Sequence, residues 1–230
     1  MIVTEKFVFL HLHKSGGTFV NECLLRFLPD ARQVGYHLPR ALTPPAALPL
    51  PALGTVRSPW SYYVSWYAFQ ARRTRPNALF RIASGAGRLG FADTVRNLLD
   101  LGDGGECLDA LLAALPPRYT NRGLNLPAFA LAPIRGSQLG FYSYLYRYMY
   151  DGPGLLHVGR MERLRQDLEP MLVSVGQGVT AAMRAYIAEA RPRNASEHGS
   201  YVDYYDSALR ERVARRDASV IERHAYRFGD

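Results

Sequence analysis

Lys14, Ser15, Gly16, Gly17 and Thr18 follow one another directly, and together they could hold an oxyanion. The glycines let the backbone turn with its N–H groups pointing inward. Thr18 opens TFVNECLLRFL, whose apolar residues recur at helical spacing. The exposed N–H groups and the positive end of a helix dipole favour an anion, and Lys14 adds a full charge at the same point. Such a loop needs a rigid element to present it. Phe7, Val8, Phe9, Leu10 and Leu12 form a short apolar run of strand-favouring residues immediately before it, so the stretch predicts a buried strand, a basic glycine loop and a helix.

The order of residues separates two kinds of phosphate loop. The nucleoside-triphosphatase form requires Gly-x-x-x-x-Gly-Lys-[Ser/Thr], with lysine after the glycines and a hydroxyl beside it for magnesium. Here Lys14 comes first, and no apolar strand ending in an acidic residue is evident to hold a metal. The arrangement His-x-x-Lys-Ser-Gly-Gly-Thr, headed by His11, instead resembles the 5′-phosphosulfate loop of sulfotransferases that use 3′-phosphoadenosine 5′-phosphosulfate (PAPS). It is most similar to the branch containing heparan sulfate 2-O-sulfotransferase and related bacterial carbohydrate sulfotransferases. His13 stands where that branch usually has proline.

A second anion site is suggested by ALGTVRSPWSYYVSWY. Leu53 to Val56 predicts another buried strand, and Pro59 suits the first turn of a following helix that carries Ser65. A guanidinium at the strand end and a hydroxyl on the helix can converge on one phosphate, Arg57 through paired N–H groups and Ser65 through its O–H. The segment resembles the 3′-phosphate motif of the same family, with Ser58 in place of an acidic or amide residue and Tyr62 where a second arginine is usual. His37 lies twenty residues before Arg57, and the resemblance implies a general base at about that interval. An imidazole with an unperturbed pKa of about 6.5 can accept a proton near neutrality. Glu162 is the rival base, and His11 and His198 are candidates for lining a cofactor pocket.

Between these motifs, prolines 39, 44, 45, 49 and 51 exclude a long helix and predict an ordered connection. FADTVRNLLD and ECLDALLAALP read as helices around a glycine-rich turn, and TNRGLNLPAFALAPIRGSQLG reads as loop. FYSYLYRYMY concentrates tyrosines that suit either an aromatic platform for an acceptor or, more simply, a packed helix. A third strand over Leu155 to Val158 leads through Arg160 and Glu162 into an amphipathic helix. The polar stretch RPRNASEHGSYVDYYD resembles the family's late loop over the 3′-phosphate, which implies roles for Arg193, Asn194 and Ser196.

Composition bounds the rest. The 230 residues, 48% hydrophobic and 12% aromatic, suffice for one folded domain spanning 1–230. No signal-peptide pattern and no apolar run long enough to span a membrane is present, and Cys23 and Cys107 give neither a disulfide framework nor zinc spacing. A cytoplasmic location is expected. The net charge of +8 is nearly all arginine, since Lys6 and Lys14 are the only lysines. It implies an anionic partner, but no nucleic-acid motif accompanies it.

The expected fold is α/β, a three-layer, P-loop-like domain with a central parallel sheet flanked by helices and a site at the carboxyl ends of the strands. The resemblance implies in-line transfer of a sulfuryl group from PAPS, leaving 3′,5′-adenosine bisphosphate (PAP), to a hydroxyl on a carbohydrate or small molecule, with no metal. Lys14 would meet the leaving oxygen, Ser15, Gly16, Gly17 and Thr18 the 5′-phosphate, Arg57 and Ser65 the 3′-phosphate, and His37 the acceptor proton. The alternatives are a P-loop-type nucleotide kinase and a non-catalytic basic protein that binds nucleotide or nucleic acid. Acceptor identity and oligomeric state are open at this level.

Overall fold

The computed structural model describes residues 1–190 and 199–230. In chain order its strands are β1 (Ile2–Val3), β2 (Val8–Leu10), β3 (Arg32–Gln33), β4 (Ala52–Val56) and β5 (Leu156–Arg160). The helices are α1 (Gly17–Phe27), α2 (Pro59–Ala71), α3 (Ala78–Ala83), α4 (Phe91–Leu99), α5 (Glu106–Ala114), α6 (Ala128–Leu131), α7 (Phe141–Tyr150), α8 (Leu164–Ser174), α9 (Ala181–Glu189), α10 (Ser207–Arg216) and α11 (Ala218–Arg223). The chain divides into two compact units, Met1–Arg57 with Arg147–Ala195 and Ser58–Tyr146 with Ser196–Asp230.

The first unit holds the sheet, in the order β3-β1-β2-β4-β5. β2, β4 and β5 are parallel, with Phe9 opposite Leu53 and Leu53 opposite His157. This is the parallel centre expected from the three apolar runs. Sequence reasoning did not foresee the antiparallel extension, in which β1 pairs with β2 and β3 with β1. Thr4 makes the tight connection from β1 to β2: its hydroxyl accepts the N–H groups of Lys6 and Phe7 and donates to the Phe7 carbonyl. β3 is a two-residue edge strand of exposed polar side chains, so it carries no apolar signature.

One face of the sheet is covered by α1, α8 and α9. Phe7, Phe9 and Leu53 meet Val20, Cys23, Leu24, Leu168, Leu172, Met183 and Ile187 in a single apolar cluster. Val8 and Leu10 leave β2 on the opposite face and are buried as well, which is why the run reads as continuously apolar rather than alternating. Burial of this kind contributes roughly 1.5–3 kcal/mol per large side chain and fixes where the loop after β2 leaves the sheet.

The second unit is helical among its described residues. Helices occur where FADTVRNLLD and ECLDALLAALP predict them, and FYSYLYRYMY forms α7. The stretch read as loop also contains the short α6 and a 3₁₀ turn over Ala132–Ile134. Asp217 is fully buried and accepts hydrogen bonds from the Ser143 N–H at 2.7 Å and the Tyr63 hydroxyl at 2.9 Å. Tyr62 stacks on Tyr142 with ring centroids 4.0 Å apart. Burial raises the Asp217 carboxyl to a pKa of about 6.

Candidate active site

The chain leaves the sheet at Leu10 and reaches α1 at Gly17. Two residues of the intervening loop take left-handed torsions, Lys14 at φ 60° and Gly16 at φ 81°. Gly16 adopts its torsion at no steric cost, whereas a lysine held there stores on the order of 1–3 kcal/mol, a pattern that clusters at functional sites. Gly17 is required for another reason, because a Cβ on it would stand 2.0 Å from His11 Cδ2. α1 begins with no side-chain cap at Gly16 and no acidic residue in its first turn. Its positive end suits an anion. Ser15 is fully buried and directs its hydroxyl back to the His13 carbonyl at 3.4 Å, while Thr18, the second residue of α1, is half-buried.

Arg57 follows the carboxyl end of β4, and its Nη1 donates to the Lys14 carbonyl at 3.5 Å. Two cations are thus brought together. Burial first, and then the Arg57 charge, lower the Lys14 ammonium to a pKa of about 8. A lysine depressed by desolvation and by a like charge is returned toward its charged form by an anion placed between the two.

His37, in the segment after β3, packs against this loop. It is also left-handed, at φ 48°, and its Nδ1 lies 2.6 Å from the His11 carbonyl. A carbonyl only accepts, so Nδ1 carries the hydrogen and the neutral ring keeps its lone pair on Nε2. The His11 ring lies 4.2 Å, the Tyr36 ring 4.1 Å and the His13 ring 5.3 Å from the His37 ring, centroid to centroid. Burial pulls the pKa of His37 down to about 4, against the raising effect of its bond to His11. The expectation of an untuned imidazole near 6.5 is therefore corrected: the ring is desolvated, and desolvation disfavours the imidazolium.

His11 and His13 are also held well below the usual imidazole range, by burial first and then by the charge of His37, with Lys14 adding to the effect on His13. The Asn21 amide meets His11 Nδ1 at 3.3 Å. Two buried polar atoms here, His13 Nδ1 and Asn21 Oδ1, have no hydrogen-bond partner among the described residues. No group of three or more His, Cys, Asp or Glu among the described residues could hold a metal ion.

Lys14 and Arg57 thus come together, as do His37, His11 and His13. Ser65 lies on α2 in the second unit, buried to 1% exposure. Glu162 occupies an exposed one-turn helix after β5, and Arg160 donates its N–H to the Asp167 carboxylate at 3.0 Å. Arg193, Asn194, Ser196 and His198 lie outside the described residues. In the sequence His13 reads only as a departure from a motif. The signal that points to it is the pair His11-x-His13 directly after a predicted strand, whose alternation, carried on, would put the two side chains on one face.

No helix among the described residues is long and apolar enough to cross a membrane. No family model matches the chain, and no curated protein matches it in sequence. Among solved structures, the crystal structure of mouse sulfotransferase SULT7A1 complexed with PAP matches with a TM-score of 0.49 at 13% sequence identity, over 97% of this chain and 89% of that one. What the site can do rests on its own residues.

Proposed function

We propose that residues 1–230 act as one domain that transfers a sulfuryl group from PAPS to a hydroxyl of a carbohydrate or small molecule. The observation supporting this is the double duty of one loop: its His11 carbonyl holds His37 in a defined neutral tautomer, and its Lys14 carbonyl is held by Arg57 at the uncapped start of α1. A base and an anion cradle are thereby built on the same few residues.

PAPS fits this cradle, which is cationic and rich in backbone N–H, and it supplies an electrophilic sulfuryl group on a good leaving phosphate. Lys14 and the N–H groups opening α1 neutralise charge that grows on the phosphate oxygen as its bond to sulfur breaks. Arg57 holds a second phosphate through its guanidinium. His37 Nε2 takes the proton of the acceptor hydroxyl as the oxygen–sulfur bond forms, and the His11 carbonyl stabilises the resulting imidazolium through Nδ1–H.

Calorimetric titration with PAP beside ATP and ADP, in the presence of a chelator, tests the reading, followed by PAPS with a panel of hydroxyl acceptors. Metal-independent binding of PAP in preference to both nucleotides, with sulfated product, is the expected result. Magnesium-dependent ATP hydrolysis would point to a kinase instead, and tight PAP binding without transfer to a non-catalytic nucleotide-binding protein.

A further inference from the structure

The tyrosine-rich helix contributes one side chain to the first unit's sheet that the mechanism above does not use. Tyr150, the last residue of α7, is buried to 2% exposure and lies against β4. Gly54 makes the slot for it, since a Cβ at that position would stand 2.3 Å from Tyr150 Cε1. The phenol hydroxyl accepts the Thr55 N–H at 3.0 Å and donates to the Thr55 carbonyl at 2.7 Å.

The side of β4 on which this happens follows from the ladder. Ala52 donates its N–H to Leu155, toward β5, whereas the Pro51 carbonyl accepts from Val8, toward β2. Main-chain groups alternate along a strand, so Thr55 and Arg57 face β2, as Pro51 does. The β2–β4 register ends with Leu10 opposite Gly54. At Thr55, the next residue facing that way, the hydroxyl of Tyr150 stands where the chain of β2 departs for the Lys14 loop. Arg57 is two residues further on, and its guanidinium reaches the Lys14 carbonyl.

We propose that Tyr150 is a positioning residue: by occupying both main-chain groups of Thr55 it holds the carboxyl end of β4 at the point where β2 leaves, and so sets Arg57 against the Lys14 loop. Its bearing on ligand selectivity rests on the proposed function, whereas its bearing on the Lys14–Arg57 pairing does not.

The test is Tyr150→Phe, which keeps the ring in the Gly54 slot and removes only the hydroxyl. Two readouts are taken on folded protein. One is the titration of Lys14 by ¹³Cε NMR of lysine-labelled protein, in which Lys6, the only other lysine, gives the reference signal. The other is the ratio of affinities for PAP and AMP, which differ by the 3′-phosphate. The expected outcome is an upward shift of the Lys14 titration as Arg57 moves off, with roughly a tenfold loss of the preference for PAP, the size of one lost hydrogen bond. A fall in melting temperature with both the Lys14 titration and the PAP preference unchanged overturns the proposal and leaves Tyr150 a packing residue. If the unaltered protein does not prefer PAP to AMP, the proposed function fails. The Lys14 titration then decides alone: a shift retains the positioning role, and an unchanged curve removes it.

Discussion

Each unit buries a cluster of polar side chains, and the two clusters are finished differently. In the second unit Asp217 is surrounded by donors: the Ser143 N–H and the Tyr63 hydroxyl point at its oxygens, and a Cβ on Gly140 would stand within 2.8 Å of Oδ2. Its environment stabilises one arrangement and leaves no room beside it. In the first unit His11, His13 and His37 are buried too, yet His13 Nδ1 and Asn21 Oδ1 have no partner among the described residues. Lys14 and His37 there hold left-handed torsions. A buried polar group left unsatisfied costs roughly 1–3 kcal/mol, so a chain that keeps such groups beside strained backbone has given up stability for something a ligand can use. Tyr62 Oη and Ser143 Oγ near Asp217 also have no partner among the described residues, so what sets the first cluster apart is the coincidence of unsatisfied groups with left-handed backbone at Lys14 and His37, whereas the Asp217 oxygens themselves are satisfied.

The largest effects should fall on the loop and on the histidine packed against it. Lys14→Ala should lower sulfotransfer by roughly 10²-fold or more with the fold intact, as for other groups that stabilise transition-state charge; unchanged turnover with an accepted substrate would remove Lys14 from the leaving oxygen. His37→Ala should abolish most of the turnover while PAP affinity stays within a few-fold. Because His37 is depressed to about 4, the acid limb of the wild-type rate profile should fall near that pH rather than near 6.5, and it should vanish in the variant. Survival of that limb would transfer the base role to Glu162.

On the other side of the comparison, Asp217→Ala should leave PAP binding by folded protein unaltered and destabilise the fold. It strands the Ser143 N–H and the Tyr63 hydroxyl, a loss of about 2–3 kcal/mol readable as a lower urea midpoint. A smaller, selective effect is expected at Arg57. Arg57→Ala should weaken PAP by about 1.5–3 kcal/mol, the range for hydrogen bonds to charged groups, and adenosine 5′-phosphosulfate, which lacks the 3′-phosphate, much less. Equal weakening of the two in parallel titrations would move Arg57 away from that phosphate.

Much of the first cluster was legible because its signals are local. An apolar run followed by Lys-Ser-Gly-Gly-Thr and a helical repeat predicts β2, the loop and α1 with no knowledge of the rest. The approach of Arg57 to Lys14 follows from two such strands lying parallel. The gathering of His11, His13 and His37 was not legible, since it depends on left-handed turns at Lys14 and His37, two residue types that do not announce them. The depressed pKa of His37 was hidden for the same reason, because burial is a property of the whole unit. Asp217 gave no sign at all, because its partners come from α2 and α7, far away in sequence. Nor could the tyrosine run reveal that its last member, Tyr150, meets β4 rather than an acceptor.

The two clusters should also pull stability in opposite directions with pH. A histidine whose folded pKa lies below its unfolded value contributes stability that is complete above about 6.5 and is lost as pH falls; His37, at about 4, is such a group. Asp217 is the reverse. Its carboxyl is raised from 3.8 to about 6, so the folded protein holds its proton more tightly, and its contribution is complete below 3.8 and lost as pH rises through about 6. Asp217→Asn removes that loss while keeping an acceptor for the Ser143 N–H. Relative to the unaltered protein, the variant should therefore gain about 1–2 kcal/mol between roughly pH 4.5 and pH 6, because one proton held by the folded chain and not by the unfolded one is worth about 1.4 kcal/mol for each pH unit crossed. Urea midpoints of the two proteins across this range measure the gain. A constant difference between them would mean that Asp217 is as ionised in the folded chain as in the unfolded one, and the distinction between the carboxylate and the buried imidazole cluster would then rest on hydrogen bonding and backbone strain alone.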